Sequence, residues 1–365
     1  MRSSRNILVK LTVLGVLIFL LYCLQTSNVW TNHLVSRNAP LEDNQTSPLT
    51  KNVQNTSVTS AHPAKSPQPP RNSYYNVWSI FTKVTTNSPM RRKLRIFTES
   101  LMKHSTVNLT FHLITDDDSQ VIADDVIKLN SLKLNKTINV QYYDVHKLAH
   151  QLEDIVEVMS PKFSSKPGTY YSDALFFISL GLHRIASPQQ KFAVMLDVDT
   201  KLRKDVKLLF KEFEGFGETA LFALTPELTP VYRHVLYLYR SKNPKTLFGE
   251  PFAGGGYPGY NSGVVLFHLE RLRNSLEYNQ IVSEDMVEHM TEKYSFKGHL
   301  GDQDFYTLLG MERPELIHTV DCGWNRQLCT WWRDRGYADV FDNYSRCDSE
   351  AKIWHGNCNT PIPED

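Results

Sequence analysis

Phe192-Ala193-Val194-Met195-Leu196-Asp197-Val198-Asp199-Thr200 is the stretch that decides the fold. Its unbroken apolar run reads as a strand buried on both faces, as found inside a mostly parallel sheet. The run stops at two carboxylates separated by one apolar residue. On an extended backbone, residues i and i+2 point the same way. Asp197 and Asp199 are therefore expected to converge at the strand's carboxyl end, the edge where open α/β sheets bind ligands. Two hard oxygen donors held together suit a divalent cation that itself grips a diphosphate. An acidic turn in which Asp199 caps the next element accounts for the same residues, and the rest of the chain has to decide.

Upstream, the pattern alternates between strand and helix. Val77 to Phe81 reads as a strand, Ser88-Pro89 as a helix start with proline in the first turn, and Met90 to His104 as the helix. Leu109 to Thr115 is a second strand ending at Asp116-Asp117-Asp118, followed by a helix from Val121 to Leu129. Asn139 to Tyr143 is a third strand, followed by a helix from Val145 to about Met159. Tyr170 to Arg184 reads as the helix entering the central strand. Such repeating units argue for a doubly wound α/β sheet with nucleotide-binding topology. No Gly-x-Gly-x-x-Gly follows the first strand and there is no Walker loop, which argues against a nicotinamide cofactor or a P-loop nucleotide.

Downstream, Val206 to Phe213 reads as a helix and Ala220 to Leu224 as a strand. A glycine-rich stretch, Gly254 to Tyr260, precedes Asn261-Ser262-Gly263-Val264-Val265-Leu266-Phe267, a second buried strand with a polar start. Asn261 and Ser262 there either face a ligand or simply form the turn. His299-Leu300-Gly301-Asp302-Gln303-Asp304 opens a further helix (Phe305 to Leu309), where capping explains Asp302 or Asp304 as well as a site does. The tail holds Trp324, Trp331, Trp332, Trp354 and His355-Gly356-Asn357. Clustered tryptophans usually pack, and they also stack on sugar faces. A histidine in such a segment is ordinarily a hydrogen-bonded surface or core residue.

Lys+Arg number 40 and Asp+Glu 39, so no basic excess points to nucleic acid. Residues 1–6 carry Arg2 and Arg5. Ile7 to Leu24 is apolar apart from Lys10, about long enough to cross a bilayer. With no good small-x-small cleavage site behind it, this reads as a signal-anchor with a cytoplasmic residue 1–6 tail. Residues 25–74 are rich in Ser, Thr, Asn and Pro and read as a lumenal stem, which leaves 75–365 as one catalytic domain. Sequons at Asn44, Asn55, Asn108, Asn135 and Asn343 agree with a lumenal location. Cys322, Cys329, Cys347 and Cys358 suggest two disulfides rather than zinc. Three pairings are open and the sequence does not choose; Cys322–Cys347 with Cys329–Cys358 is adopted only as a guess.

Taken together, Asp-x-Asp after a buried strand, Asn-Ser-Gly-Val opening a later one, Gly-Asp-Gln-Asp on a helix and a C-terminal His-Gly segment resemble the retaining glycosyltransferases of family eight. These have the GT-A fold, a mostly parallel mixed sheet flanked by helices, here with a disulfide-bonded C-terminal segment. Pro230 to His234, Gly298 to Phe305, Trp324 to Asp334 and His355 to Asp365 narrow the resemblance to the α-1,3-xylosyltransferases that extend a xyloside. It covers essentially all of residues 76–365.

The resemblance implies transfer of xylose from UDP-α-xylose, with retention. The acceptor would be the xylose of an O-linked xylose-glucose disaccharide on EGF-like repeats of Notch-type proteins, joined through an α1,3 linkage. It also implies an endoplasmic reticulum membrane location, with the Golgi as alternative. Asp197, Asp199 and His355 would bind Mn2+, or Mg2+. Phe81, Thr82, Lys83 and Asp116 would hold uridine; Val198 and Ser262 would seat ribose and sugar; Asn261 and Leu300 belong to the same donor set. Gln303 would stand close to the reacting carbon, with Asp302 beside it in the catalytic pair. Gln303 is too weak a nucleophile for a stable adduct, which favours front-side attack through a short-lived ion pair. Asn325, Arg326, Trp331 and Trp332 would form the acceptor wall. Two features depart from the family pattern. No lysine follows His355 to grip the diphosphate, and Asn357 and Asn359 would substitute. Asp173 stands where an arginine is usual, and it either contacts the sugar or caps its helix. A hexose donor and a non-catalytic lumenal scaffold are the competing readings.

Overall fold

The computed structural model describes residues 75–165 and 174–363. The anchor, the stem, the sequons at Asn44 and Asn55, and Asp173 lie outside these residues. Among the described residues no helix is long and apolar enough to cross a membrane. Asn108, Asn135 and Asn343 are all exposed.

Among the described residues ten strands form two sheets. They are β1 (Tyr75–Ile80), β2 (Leu109–Thr115), β3 (Asn139–Asp144), β4 (Ala193–Leu196), β5 (Thr200–Leu202), β6 (Phe222–Pro226), β7 (Tyr260–Phe267), β8 (Ile317–Thr319), β9 (Arg326–Gln327) and β10 (Ile353–His355). The large sheet has the order β3-β2-β1-β4-β7-β6-β8. All its neighbours run parallel except β7, which is antiparallel to both β4 and β6. This mixed, mostly parallel sheet is the architecture expected. Because β4 and β6 both oppose β7, they run the same way. The carboxyl ends of β1, β2, β4 and β6 therefore share one edge with the amino end of β7, and Thr82, Asp116, Asp197 and Ser262 lie at or next to those strand ends.

Burial explains the sheet. β2 and β4 are buried along their whole length, as strands covered by helices on both faces must be. Two apolar layers result, one around Trp78, Phe177, Phe222 and Tyr278, the other around Val77, Phe97, Phe111 and Trp324. The helix Pro89–Lys103 starts where the sequence places it, with the Ser88 hydroxyl accepting from the Met90 N–H. The next helix, Asp117–Leu134, is longer than expected at both ends, because Asp116 caps it and accepts from the Ser119 N–H at 2.8 Å. The helix expected from Val145 to Met159 is two helices, Val145–Gln151 and Glu153–Phe163, broken at Leu152. Ala174–Gly181, expected as α-helix, winds more tightly as a 3-10 turn run before the short helix Leu182–Ile185.

The second sheet, β5-β10-β9, is small and made largely from the tail. The disulfides join Cys322 to Cys347 and Cys329 to Cys358, the pairing adopted above.

Candidate active site

The central strand is shorter than its apolar run suggests. β4 ends at Leu196, and Asp197-Val198-Asp199 forms a turn closed by the Thr200 N–H donating to the Asp197 carbonyl at 3.1 Å. The two carboxylates thus meet by a turn, not by the alternation of an extended strand. The chain then enters β5, and β10 pairs against it with His355 opposite Thr200. The Gly356 N–H donates to the Asp199 carbonyl at 2.8 Å, which locks that register. An imidazole more than 150 residues downstream is so delivered to the turn.

His355 Nε2 lies 3.5 Å from Asp197 Oδ2 and 3.3 Å from Asp199 Oδ1, and one donor atom from each of the three lies within 4.8 Å of the others. Ligands sharing one cation at bond lengths of about 2.1 Å adopt such spacings. Two carboxylates and a neutral imidazole suit a divalent first-row cation, so the donor set fits. The ring is buried, whereas the Asp197 side chain is 56% exposed, which leaves an open side for a ligand. Gly263 makes the approach possible: a Cβ there would stand 2.2 Å from the His355 ring.

Electrostatics match this arrangement. Burial alone would raise the Asp199 carboxyl, but its hydrogen bond and charge pairing with His355, together with Lys93, hold it well below the usual range. Burial alone would lower the His355 imidazole, and Asp199, then Asp197, more than reverse this. A cation at this spot takes the Nε2 lone pair in place of a proton. Lys93, on the helix Pro89–Lys103, was not anticipated. Its Nζ lies 3.2 Å from Asp199 Oδ2 and 2.9 Å from Asn359 Oδ1.

Beside this cluster stands Gln303, almost fully buried at the start of the helix Asp302–Glu312. Its Oε1 accepts from the Ser262 N–H at 3.3 Å, and its Nε2 donates to Tyr232 Oη and Glu227 Oε2, each at 3.3 Å. Asp302 accepts from Ser179 Oγ and from Ser262 Oγ, and burial pushes its carboxyl up to about 6. Neither Asp302 nor Asp304 caps the helix, whose N-cap is Gly301. Asp304 instead accepts from the backbone N–H groups of His299 and Leu300 at 2.6 and 2.7 Å, fixing the loop that carries Leu300.

The other expected residues differ in what they leave open to a ligand. Thr82 and Lys83 leave β1 at the shared edge, half-buried and exposed respectively, and the Lys83 N–H donates to the Asp116 carboxylate. The Phe81 ring and the Val198 side chain are buried in the core, so only their backbones can face a ligand. Asn261 and Asn325 correct the expectation most. Both are buried, and their amides bond to each other at 2.8 Å. Asn325, expected on an acceptor wall, instead faces His355 Nδ1 at 2.9 Å. Asn357 Oδ1 accepts from the N–H groups of Leu328 and Cys329, tying the tail to β9. Arg326 is half-buried and bonds to the Ser345 carbonyl at 2.6 Å. Trp331 (48% exposed) and Trp332 meet edge to face at 4.9 Å between ring centres. Besides Lys93, the sequence reading missed Glu227 and the steric role of Gly263. The signal for Glu227 was its place just beyond a strand's carboxyl end.

No family model matches the chain. Mouse xyloside xylosyltransferase 1 is 43% identical over 298 residues, which covers 80% of this chain and 75% of that protein. The human protein of the same name is 42% identical over the same length and shares of each chain. The crystal structure of the mouse protein in its apo form superposes with a TM-score of 0.74 at 42% identity, covering 79% of this chain and 99% of that one. The chain belongs to the xyloside xylosyltransferase family. Like other members it is a glycosyltransferase, and its fold is GT-A. The tail sheet and the Asp197-Asp199-His355 cluster are thus parts of a family enzyme. In this member of the xyloside xylosyltransferase family, Ser262 and Gln303 bond to each other next to Gly263, whose carbonyl accepts from the Asp197 N–H.

Proposed function

We propose that the protein transfers xylose from UDP-α-xylose, with retention, in α1,3 linkage to the xylose of an O-linked xylose-glucose disaccharide on EGF-like repeats of Notch type. The observation that carries this reading is the convergence of Asp197, Asp199 and His355 at the ligand edge of a chain 43% identical to a xyloside xylosyltransferase. These three residues would hold Mn2+, with Mg2+ as the alternative. When bound, the cation offsets diphosphate charge and stabilises UDP as leaving group.

The chain's own residues supply the rest. Lys93, already beside Asp199, would add the positive charge for the diphosphate that many family-eight glycosyltransferases draw from a lysine after the histidine, with Asn359 orienting its ammonium. Thr82, the Lys83 backbone and Asp116 would line the uridine end. Asp302, held by two serines, and Ser262 would seat the sugar. The Gln303 amide, anchored at both ends, would stand against the reacting carbon without forming an adduct. The departing phosphate would accept the proton of the attacking hydroxyl. Trp331 and Trp332 offer rings for the C–H faces of the acceptor sugars. We further infer a type II signal-anchor over residues 7–24, a stem over 25–74, and a lumenal catalytic domain over 75–365 in the endoplasmic reticulum.

The test is transfer from UDP-xylose to a xylosyl-glucosyl EGF-repeat peptide, with and without EDTA, followed by linkage analysis. The expected product is a single α1,3-linked xylose that disappears with EDTA. Faster turnover of UDP-glucose or UDP-galactose sinks the donor assignment.

A further inference from the structure

Glu227 follows β6 at the ligand edge, with 3% of its surface exposed. Every contact described for it comes from a donor. The Thr229 N–H reaches Oε1 at 2.9 Å, while Oε2 accepts from Asn261 Nδ2 at 2.9 Å and from Gln303 Nε2 at 3.3 Å. A carboxylate with three donors aimed at it acts purely as an acceptor.

From Asn261 the bonds continue in single file. Its Oδ1 accepts from the Gly263 N–H at 3.1 Å and from Asn325 Nδ2 at 2.8 Å. Asn325 then presents Oδ1 to His355 Nδ1 at 2.9 Å. An amide side chain has one donor end and one acceptor end, and either way round fits the same space. Here the choice is made by two groups of fixed polarity, the backbone N–H of Gly263 and the carboxylate of Glu227. With those two in place, each asparagine has one orientation that leaves no donor facing a donor and no acceptor facing an acceptor, and a buried mismatch costs about 1–3 kcal/mol.

We propose that Glu227 is a positioning residue whose carboxylate sets the polarity of the Asn261 and Asn325 amides. Through them it keeps the His355 proton on Nδ1 and the Nε2 lone pair toward Asp197 and Asp199. The same oxygen holds the Gln303 amide, so one carboxylate aligns both the cation ligand and the residue assigned to the reacting carbon. Glu227 moves no proton and touches no substrate. The inference rests on the reading that a divalent cation binds at His355, where the partner of the other ring nitrogen decides which nitrogen is free to ligate.

The experiment compares full-length wild type with Glu227→Gln, Asp199→Asn, and Glu227→Gln combined with Asn325→Asp. Mn2+ binding is read in the presence of UDP from the free-ion paramagnetic resonance signal, alongside the thermal midpoint, kcat and KM for UDP-xylose. Glu227→Gln keeps the side-chain volume but replaces one acceptor with a donor. It is expected to weaken Mn2+ binding about 10- to 100-fold and to lower kcat, with little change in midpoint. Adding Asn325→Asp gives Nδ1–H a carboxylate of its own, and Asn261 can turn over so that its Nδ2 meets that carboxylate and its Oδ1 meets the new amide, leaving only the Gly263 N–H unmatched. That should restore most of the Mn2+ affinity but not kcat, because Gln303 remains unanchored. If Glu227→Gln does not fold, Glu227→Asp replaces it, keeping the acceptor but shortening its reach, with a loss of Mn2+ affinity of about tenfold expected. Wild-type Mn2+ affinity in a folded variant, or a loss that follows the midpoint and is not rescued, overturns the relay alone. If wild type and Asp199→Asn bind Mn2+ equally poorly, the cation reading fails and the relay with it.

Discussion

The sheet half of the molecule and its tail reach the same edge by different physics. β1 to β4 and their helices are held by burial, with side chains such as Trp78, Phe97 and Phe111 wholly removed from water. The tail from Asp321 onward contributes short strands of two and three residues, stapled by two disulfides. Carboxylates come from the first and the imidazole from the second. A site divided in this way depends on a docking, and the two halves respond to different insults.

The largest effect expected is on the junction itself. Asp199→Asn or His355→Ala should reduce xylosyl transfer by about a thousandfold, in line with loss of about 4 kcal/mol of electrostatic stabilisation. The far-ultraviolet dichroism should stay unchanged, because the sheet does not need the junction; a collapsed fold would show the halves to be inseparable. Next, replacing Cys329 and Cys358 together by serine should cost about 3–4 kcal/mol from a loop of this length. Melting monitored with and without Mn2+ and UDP should show the ligand-dependent gain in midpoint falling. A variant that melts earlier yet binds Mn2+ as wild type would mean that β10 docks without its staple. Gly263→Ala tests the steric side. A methyl placed at 2.2 Å from the imidazole should push the ring away and cost about a hundredfold in Mn2+ affinity, as titration would show.

The smallest effect belongs to the sheet half. His112 is buried between Asn76 and Tyr143 and stacks on Trp78, and burial pushes its imidazole down to about 4. An imidazole lowered in the fold contributes stability that is fully present above pH 6.5 and lost as pH falls toward 4. The loss should be about 2 kcal/mol at pH 5. His112→Gln should flatten the denaturation midpoint across that window, and an unchanged slope would remove His112 as the cause.

Legibility divided along the same line. β2 runs over the residues expected, Leu109–Thr115, because a buried parallel strand announces itself as an apolar run. Polar starts were harder: the helix at Asp117 begins four residues before its apolar pattern, since capping by Asp116 sets it. The Asp-x-Asp pair was found through the wrong backbone, as an apolar run shows where burial continues but not where the chain turns. Lys93 carried no local signal, because its importance arises from a helix lying against a tail that begins more than 200 residues later. Glu227 was missed because β6 was expected to end at Leu224. A register shift after Leu224 carries the pairing on to Pro226 and sets the carboxylate at the edge. Asn325 is expected on the acceptor wall, and only its burial and its bonds to Asn261 and His355 show it turned inward.

The order of the strands along the chain has a temporal side. Every strand of the seven-stranded sheet is finished by Thr319, whereas β9 and β10 come afterwards. As the polypeptide emerges, the scaffold and both aspartates can be in place while the imidazole has yet to be made. The Cys329–Cys358 bridge, whose second cysteine lies just beyond that last strand, can likewise close only at the end of synthesis. A growing chain can thus hold a shaped but incompetent edge, and that stage ends only when the last residues are added.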